Sequence, residues 1–174
     1  MRQSFEVMTM TDDSPKGPDA LADLKIEAFL PALFNLITAG LNGRFLERLR
    51  PYGVTVQRWR VLMVLMSRGP RNIGELVQLT LVPQSALSRL IDQMERHELV
   101  RRRSSATDSR VVEVELTDHG RSIFWQLAPA AISHADEIVT GFSEAEKLQL
   151  HALLRRVLSN LDARALALYS NEDA

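Results

Sequence analysis

Apolar residues recur at helical spacing along much of the chain, most clearly between residues 83 and 95. Four apolar side chains there stand at positions i, i+3, i+4 and i+7, which places them on one face of a helix. They are Leu87, Leu90, Ile91 and Met94. The opposite face is polar and carries Gln84, Ser85, Ser88 and Arg89. The pattern predicts an amphipathic surface helix whose outward groups suit a reader of the DNA major groove.

Start signals predict two helices upstream of this one. Pro31 favours a helix over residues 31–49, because its missing N–H is harmless in a first helical turn. After a turn at residues 51–53, Thr55 can cap a second helix that runs through Ser67.

A third, short helix completes a helix-turn-helix. Asn72 followed by Glu75 has the spacing of a capping box, which predicts a helix over residues 73–79. Residues 80–82 connect it to the helix over residues 83–95. Two helices joined by so short a turn have the spacing of a helix-turn-helix.

A β-hairpin is predicted directly after these helices. Residues 99–103 and 111–116 are the two strand candidates, and the second alternates between apolar and acidic positions as a half-buried strand does. The alternating residues are Val112, Glu113, Val114, Glu115 and Leu116. The six residues SSATDS between the strands supply turn-forming side chains.

Two long helices are predicted to follow the hairpin. Thr117 can cap a helix that extends to about residue 140 and bends at Pro129. Ser143 with Glu146 forms a second capping box, which opens the last helix. That helix has a broad apolar stripe comprising Leu150, Leu153, Leu154, Val157, Leu158, Leu161 and Leu166. The first and last helices are too apolar to be lone surface helices, which predicts self-association.

The charge of the chain is unevenly distributed. The net charge is -1, but residues 57–110 carry ten arginines and five acids, so this block is +5 and the remainder is -6. A basic central block between acidic segments is what a DNA-binding module set between non-binding helices would show.

Composition excludes several function classes. With no cysteine, the chain has no disulfide, no Cys-ligated zinc and no thiol redox sensor. The four histidines are scattered without metal-ligand or catalytic spacing, so neither a metal, a cofactor nor enzyme activity is expected. The longest apolar run has six residues, 61–66, against the roughly 20 that span a bilayer. No membrane partner and no secretory signal are expected, and the expected location is cytoplasmic.

The segment QSALSRLIDQMERHELVRRRSSATDSRVVEVELTDHG resembles the MarR family, the winged-helix regulators named for multiple antibiotic resistance. Its most specific part is Asp108, Ser109 and Arg110, followed six residues after the arginine by Leu116 and Thr117. The coarser pattern extends over about 140 residues from Pro31 onward. The chain departs from the family at Glu98, where a glycine usually closes the recognition helix. Either Glu98 adopts a left-handed or altered cap, or the corner between helix and strand differs.

The resemblance implies a mainly α fold with a small β-hairpin wing, in which a winged helix-turn-helix is part of an interlocked helical homodimer. We expect a disordered tail at residues 1–20 and a single MarR-like domain at 21–174. Within that domain, residues 21–50 and 118–170 form the dimerisation helices and residues 55–117 the winged helix-turn-helix. A two-fold dimer presents two recognition helices about one DNA turn apart, which matches a palindromic operator.

The candidate DNA contacts lie on the recognition helix and on the hairpin. Arg89 is the first candidate for a guanine edge or a phosphate, and the alternative is a solvated helix face. The resemblance implies that Arg110 reaches the minor groove while Asp108 braces it, and the alternative is a hairpin salt bridge. The three consecutive arginines alternate across the strand, so phosphate contact is expected for one or two of them. The full candidate set is Gln84, Ser85, Ser88, Arg89, Arg102, Arg103, Asp108 and Arg110.

A small-molecule effector is also expected, since many family members answer to aromatic or phenolic acids. Candidate lining residues are Phe34, Thr38, Arg44, Trp59, Arg60 and Met63. The arginines would meet a carboxylate. The alternative is that Trp59 and Met63 belong to the core and the arginines to the surface. An effector would act by favouring a half-site spacing that the operator does not match.

The leading hypothesis is a sequence-specific, dimeric transcriptional repressor that such a ligand releases from double-stranded DNA. Some family members activate instead. The first alternative is a winged-helix scaffold that binds protein rather than DNA, and arginine on both the helix and the hairpin argues against it. A second alternative, a small hydrolase or metal enzyme, lacks the necessary residues.

Overall fold

A computed structural model describes residues 29–105 and 108–161. The predicted tail at residues 1–20 and Leu166 of the last apolar stripe lie outside the described residues. The chain divides into two compact units, residues 1–44 and 45–174, and the first helix crosses the boundary between them.

The described residues form six α-helices in the predicted order and three short strands, of which two are the predicted hairpin. The helices are α1 Leu30–Leu49, α2 Val56–Arg68, α3 Ile73–Thr80, α4 Gln84–Arg96, α5 Asp118–Glu137 and α6 Glu144–Leu161. The strands are β1 Arg71–Asn72, β2 Val100–Ser104 and β3 Val112–Leu116. A 3₁₀ turn, Arg50–Tyr52, joins α1 to α2. The mainly α fold with a small hairpin is confirmed.

The predicted helix starts are confirmed by their hydrogen bonds. The hydroxyl of Thr55 accepts the N–H of Arg58 at 3.2 Å and caps α2. The Asn72 side chain accepts the N–H of Glu75 at 3.0 Å, while the Glu75 carboxylate accepts the N–H of Asn72 at 2.8 Å. This reciprocal pair is the capping box, and it satisfies two donors that a helix terminus otherwise leaves without partners.

The three strands form one antiparallel sheet in the order β1-β3-β2. Strand β3 pairs with β2 from Val100 opposite Leu116 to Ser104 opposite Val112, which confirms the hairpin. Strand β1 is not predicted from the sequence, because two residues are too few for an alternation. It pairs Arg71 with Val114. Strand β2 therefore lies at one edge of the sheet.

The core of the residue 45–174 unit lies under the helix-turn-helix and the hairpin. Leu87, Ile91 and Met94 of α4 are fully buried, which confirms the apolar face predicted for that helix. Leu62 of α2 and Leu76 of α3 are also fully buried in this cluster. Side chains of this size stabilise by roughly 1.5–3 kcal/mol each when fully buried, so the core fixes the orientation of α4.

The corner between α4 and β2 adopts the left-handed cap that glycine usually forms. Glu98 has φ 56°, its N–H donates to the carbonyl of Glu95 at 2.9 Å, and the N–H of Leu99 donates to the carbonyl of Met94 at 2.9 Å. These are the two hydrogen bonds of a Schellman motif, with Glu98 at the left-handed position. The departure at Glu98 therefore changes the residue but not the cap.

The first turn of α5 packs directly against this corner. The hydroxyl of Thr117 donates to the carbonyl of Glu98 and accepts the N–H of Gly120 at 3.0 Å, so one side chain caps α5 and ties it to the corner. A Cβ on Gly120 would lie 2.0 Å from the carbonyl oxygen of Leu99. Glycine is required here for close approach rather than for backbone freedom.

The bounds and caps of the last two helices are close to those predicted. Helix α5 continues through Pro129 and ends at Glu137, and turn residues occupy the stretch up to Gly141 where the helix was expected to reach about residue 140. The predicted capping box of α6 is present, since the Glu146 carboxylate accepts both the N–H and the hydroxyl of Ser143 at 2.7 Å.

Candidate nucleic-acid interface

The outward face of α4 is a polar stripe opposite its buried residues. With about 100° per residue, five side chains fall within an arc of about 100° that is centred away from the core. They are Ser85, Ser88, Arg89, Asp92 and Arg96. Ser88 is half-buried, and the other four are exposed. Gln84 is also exposed, but it lies to the side of this stripe in the first turn.

Two guanidinium groups of this stripe, those of Arg89 and Arg96, are open to an incoming ligand. Within residues 29–105 and 108–161 neither makes an ion pair with a carboxylate, and both residues are exposed. Arg96 is not in the predicted set of DNA contacts. The signal that could have found it is its spacing, because residues 85, 89, 92 and 96 follow one another at i, i+4, i+7 and i+11.

Two of the three arginines of β2, Arg101 and Arg103, are paired with acids of β3. Arg101 Nε lies 2.6 Å from the Glu115 carboxylate, and Arg103 lies 3.2 Å from Glu113 and 2.9 Å from Glu115. Arg101 stands opposite Glu115 and Arg103 opposite Glu113 in the strand register. Such facing pairs of opposite charge stabilise a sheet modestly. Much of the positive charge that the sequence places on the hairpin is therefore balanced within it.

Arg102 points toward α4 and bridges two of its carboxylates. Its two terminal nitrogens bind different acids, one the Glu95 carboxylate and the other Asp92 at 2.6 Å. Its backbone N–H also donates to Glu95 at 3.0 Å. Partial burial alone would lower the pKa of the Arg102 guanidinium, but the hydrogen bonds to Asp92 and Glu95 and their negative charge raise it above its ordinary value.

At the hairpin tip, Asp108 holds the backbone that carries Arg110. The Asp108 carboxylate accepts the N–H of Arg110 at 3.0 Å, and the Asp108 carbonyl accepts the N–H of Val111 at 2.9 Å. This is a side-chain-supported turn rather than a salt bridge between the two side chains. Among the described residues no carboxylate pairs with the guanidinium of Arg110, which is exposed.

The candidate effector residues lie in different environments. Trp59 belongs to the core, where it is 7% exposed and stacks on Phe124 with ring centroids 5.1 Å apart. Arg60 lines an open cleft of about 410 Å³ beside α4, together with Arg89 and the turn residues before the helix. Met63 is 43% exposed. On α1, Phe34 is half-buried, and Thr38 and Arg44 are exposed.

No group of three or more histidine, aspartate or glutamate side chains in the described part of the chain is placed to hold a metal ion. None of the described helices is long and apolar enough to cross a membrane.

Known proteins are similar to this chain in sequence and in structure. The model of the MarR family matches residues 52–111. The HTH-type transcriptional regulator PecS of Dickeya dadantii is 30% identical over 113 residues, which span 63% of this chain and 68% of PecS. The chain belongs to the MarR family. Its recognition helix is thus α4, and its wing is the β2–β3 hairpin.

Two further proteins similar to this chain are a transcriptional repressor and a MarR protein bound to operator DNA. The HTH-type transcriptional repressor IacR of Pseudomonas putida is 27% identical over 128 residues, covering 71% of this chain and 77% of IacR. The crystal structure of a mutant MarR from E. coli, complexed with operator DNA, matches with a TM-score of 0.69 and 26% identity. That match covers 78% of this chain and 99% of the E. coli chain. This protein is therefore a winged-helix transcriptional regulator.

Proposed function

We propose that this protein is a dimeric repressor that binds a palindromic operator in double-stranded DNA. The observation that carries the proposal is the exposed guanidinium of Arg89 on the outward face of α4, which pairs with no carboxylate among the described residues. Ser85 and Ser88 of the same polar stripe add hydroxyl groups that can donate to or accept from base edges and phosphates. Arg110 at the wing supplies a second open cation.

The predicted contacts then divide into two kinds. Arg89 is proposed to bind a guanine edge or a phosphate in the major groove, with Gln84, Ser85 and Ser88 beside it. Arg110 is proposed to contact DNA from the wing, with Asp108 fixing its backbone. Asp108 thus acts without touching DNA.

Dimerisation is supported by apolar side chains that face solvent on the first and last helices. On α1 the exposed large apolar residues include Leu30, Leu33, Leu36, Ile37 and Leu46. On α6 they include Leu148, Leu153, Leu154 and Leu161. Exposed apolar surface of this kind favours association. A two-fold dimer would cover it and would present two copies of α4 to successive major grooves.

The test is a binding titration with duplexes selected by the wild-type protein from a pool with a randomised central segment. Arg89→Ala is expected to weaken binding to the selected duplex by about 5- to 150-fold, the range for loss of a good base contact. Its affinity for unselected duplex should fall less. The matched control is Arg50→Ala, which removes an exposed arginine from the turn after α1. Unchanged affinity of Arg89→Ala would refute the contact.

The same titration separates the repressor from a scaffold that binds only protein. A DNA-binding regulator shows a steep decrease of affinity with salt and a preference for selected over random duplex. Failure of the wild-type protein to enrich any sequence would overturn the proposed function. A mass measurement in solution tests the dimer.

A small aromatic acid is proposed as the effector that releases the operator. The support is the position of Arg60 in the cleft beside α4, whose other walls include apolar Leu81, Val82 and Leu90. A guanidinium beside apolar side chains suits a carboxylate attached to a ring. The remaining members of the predicted effector set, on α1 and α2, stay a prediction.

Benzoate is the probe for this effector, with phenol and cyclohexanecarboxylate as matched controls for the carboxylate and the ring. Benzoate is expected to weaken operator binding by the wild-type protein, and Arg60→Gln to reduce that response. If benzoate has no effect on binding, or acts equally on Arg60→Gln, this proposal fails while the DNA-binding proposal stands.

A further inference from the structure

The three charged residues that join the wing to the recognition helix form a compact group, which we call the Arg102 clamp: Arg102 of β2 with Asp92 and Glu95 of α4. We propose that the Arg102 clamp positions the recognition helix relative to the wing, and that Arg102 acts through this contact rather than by binding phosphate. The inference rests on the proposed DNA-binding function. It assigns to Arg102 a role different from the phosphate contact that its place in a basic strand suggests.

The first argument is the way the guanidinium is used. The two ends of its planar fork bind two carboxylates that stand three residues apart on α4, Asp92 and Glu95. The Arg102 side chain is only 33% exposed, less than the 68% of neighbouring Arg101. A group whose donors are already directed to two acids has little left to offer a phosphate.

The second argument is the edge of the sheet. Because β2 is an edge strand, the N–H of Arg102 has no strand partner on its outer side, and the Glu95 carboxylate accepts it at 3.0 Å. Glu95 therefore holds both the backbone and the side chain of Arg102. The contact closes a second connection between α4 and the wing, in addition to the short corner at residues 97–99.

The third argument is electrostatic. Asp92 lies on the outward stripe of α4 between Arg89 and Arg96, where an uncompensated carboxylate would repel a DNA backbone. Arg102 supplies one positive charge to two carboxylates, so the clamp carries one net negative charge instead of the two that Asp92 and Glu95 would carry alone. Among the described residues, the exposed cations on the outward face of α4 that pair with no carboxylate are Arg89 and Arg96.

The decisive comparison is Arg102→Lys with Arg102→Gln on the selected duplex. Lysine keeps the positive charge that a phosphate needs but lacks the fork that reaches two acids. We expect both variants to weaken binding by roughly 3- to 30-fold, which lies within the range for residues coupled through one ion-pair network. The salt dependence should keep its wild-type slope in Arg102→Gln. Near wild-type binding by Arg102→Lys, or a slope reduced by about one unit in Arg102→Gln, would overturn the inference.

A second comparison tests the carboxylates of the Arg102 clamp. The expected change in DNA affinity is opposite to the change that charge alone would cause. Removal of a negative charge near DNA normally strengthens binding. If the Arg102 clamp positions α4, Glu95→Gln weakens binding, whereas the matched control Glu98→Gln binds as well as or better than wild type. Glu95→Gln binding as Glu98→Gln does would overturn the inference.

A measurement without DNA separates this inference from the proposed function. Amide hydrogen exchange at Arg102 is expected to accelerate in Glu95→Ala, because its N–H loses its acceptor, while the melting temperature changes little since exposed ion pairs contribute little to stability. An unchanged exchange rate at Arg102 would refute the Arg102 clamp even if operator binding is demonstrated. Conversely, if the protein selects no DNA sequence but the Arg102 amide exchanges faster in Glu95→Ala, the contact between Glu95 and Arg102 is supported and the proposed function is refuted.

Discussion

Replacement of Glu98 by glycine is predicted to stabilise the protein. Glu98 occupies the left-handed position of the α4 cap with φ 56°. Its N–H donates to the carbonyl of Glu95. Glycine can make the same backbone hydrogen bond without the clash between Cβ and the backbone that disfavours this conformation. The substitution therefore removes strain and keeps the cap.

The magnitude follows from two opposing terms. An L-residue in the left-handed region costs roughly 1–2 kcal/mol, whereas glycine costs about 0.4–1 kcal/mol through the larger entropy of the unfolded chain. The difference predicts that Glu98→Gly stabilises by about 0.5–1 kcal/mol, which raises Tm by roughly 1–4 °C in a chain of this size.

The assay is equilibrium unfolding in urea at one fixed protein concentration, because the proposed dimerisation would make stability depend on concentration. Glu98→Ala is the matched control, since it removes the carboxylate and keeps the Cβ. Only the glycine variant should be more stable than wild type. Equal stabilisation by both variants would show that the carboxylate, and not the backbone conformation, is responsible. A glycine variant no more stable than wild type would refute the strain.

Two other substitutions test contacts of the last helices. Gly120→Ala should lower the free energy of unfolding by about 1–3 kcal/mol, because its Cβ would meet the carbonyl of Leu99 at 2.0 Å. Thermal unfolding measures this loss, with an alanine substitution at Ser122, which is exposed on the same helix, as the control. Equal losses in the two variants would contradict the close approach. Hydrogen bonds from the backbone and hydroxyl of Ser143 lower the pKa of Glu146, so Ser143→Ala should raise that pKa toward its ordinary value in an NMR titration. The contribution of the Glu146 carboxylate to stability is present above its unfolded-state pKa and is lost as pH falls through its lowered folded-state pKa. The free energy of unfolding should therefore decrease less on acidification in Ser143→Ala than in wild type.

The order and type of the elements followed from local patterns. The caps at Thr55 and Asn72 could be predicted because a capping side chain and the N–H it binds are close in sequence. The buried face of α4 could be predicted because it repeats with the helical period. These interactions need no knowledge of the rest of the fold.

The partners of the arginines could not be predicted in the same way. Arg102 meets Asp92 and Glu95 only because the corner at Glu98 turns β2 back along α4. The sequence alone could not decide whether Glu98 forms a left-handed or altered cap or whether the corner between helix and strand differs. A count of ten arginines in the central block says nothing about which are neutralised, since ion pairs depend on strand register and on the angle between helix and wing.

The pairing of Arg101 and Arg103 with acids on the neighbouring strand bears on how such a protein finds its target. A chromosome offers about 10⁶–10⁹ competing sites to any basic surface. Affinity for random sequence grows with the number of phosphates that are neutralised. A wing on which Arg101 and Arg103 are already balanced and Arg110 is left to contact DNA holds bulk DNA weakly. Fewer molecules are then sequestered along the genome, and more remain available to the correct site.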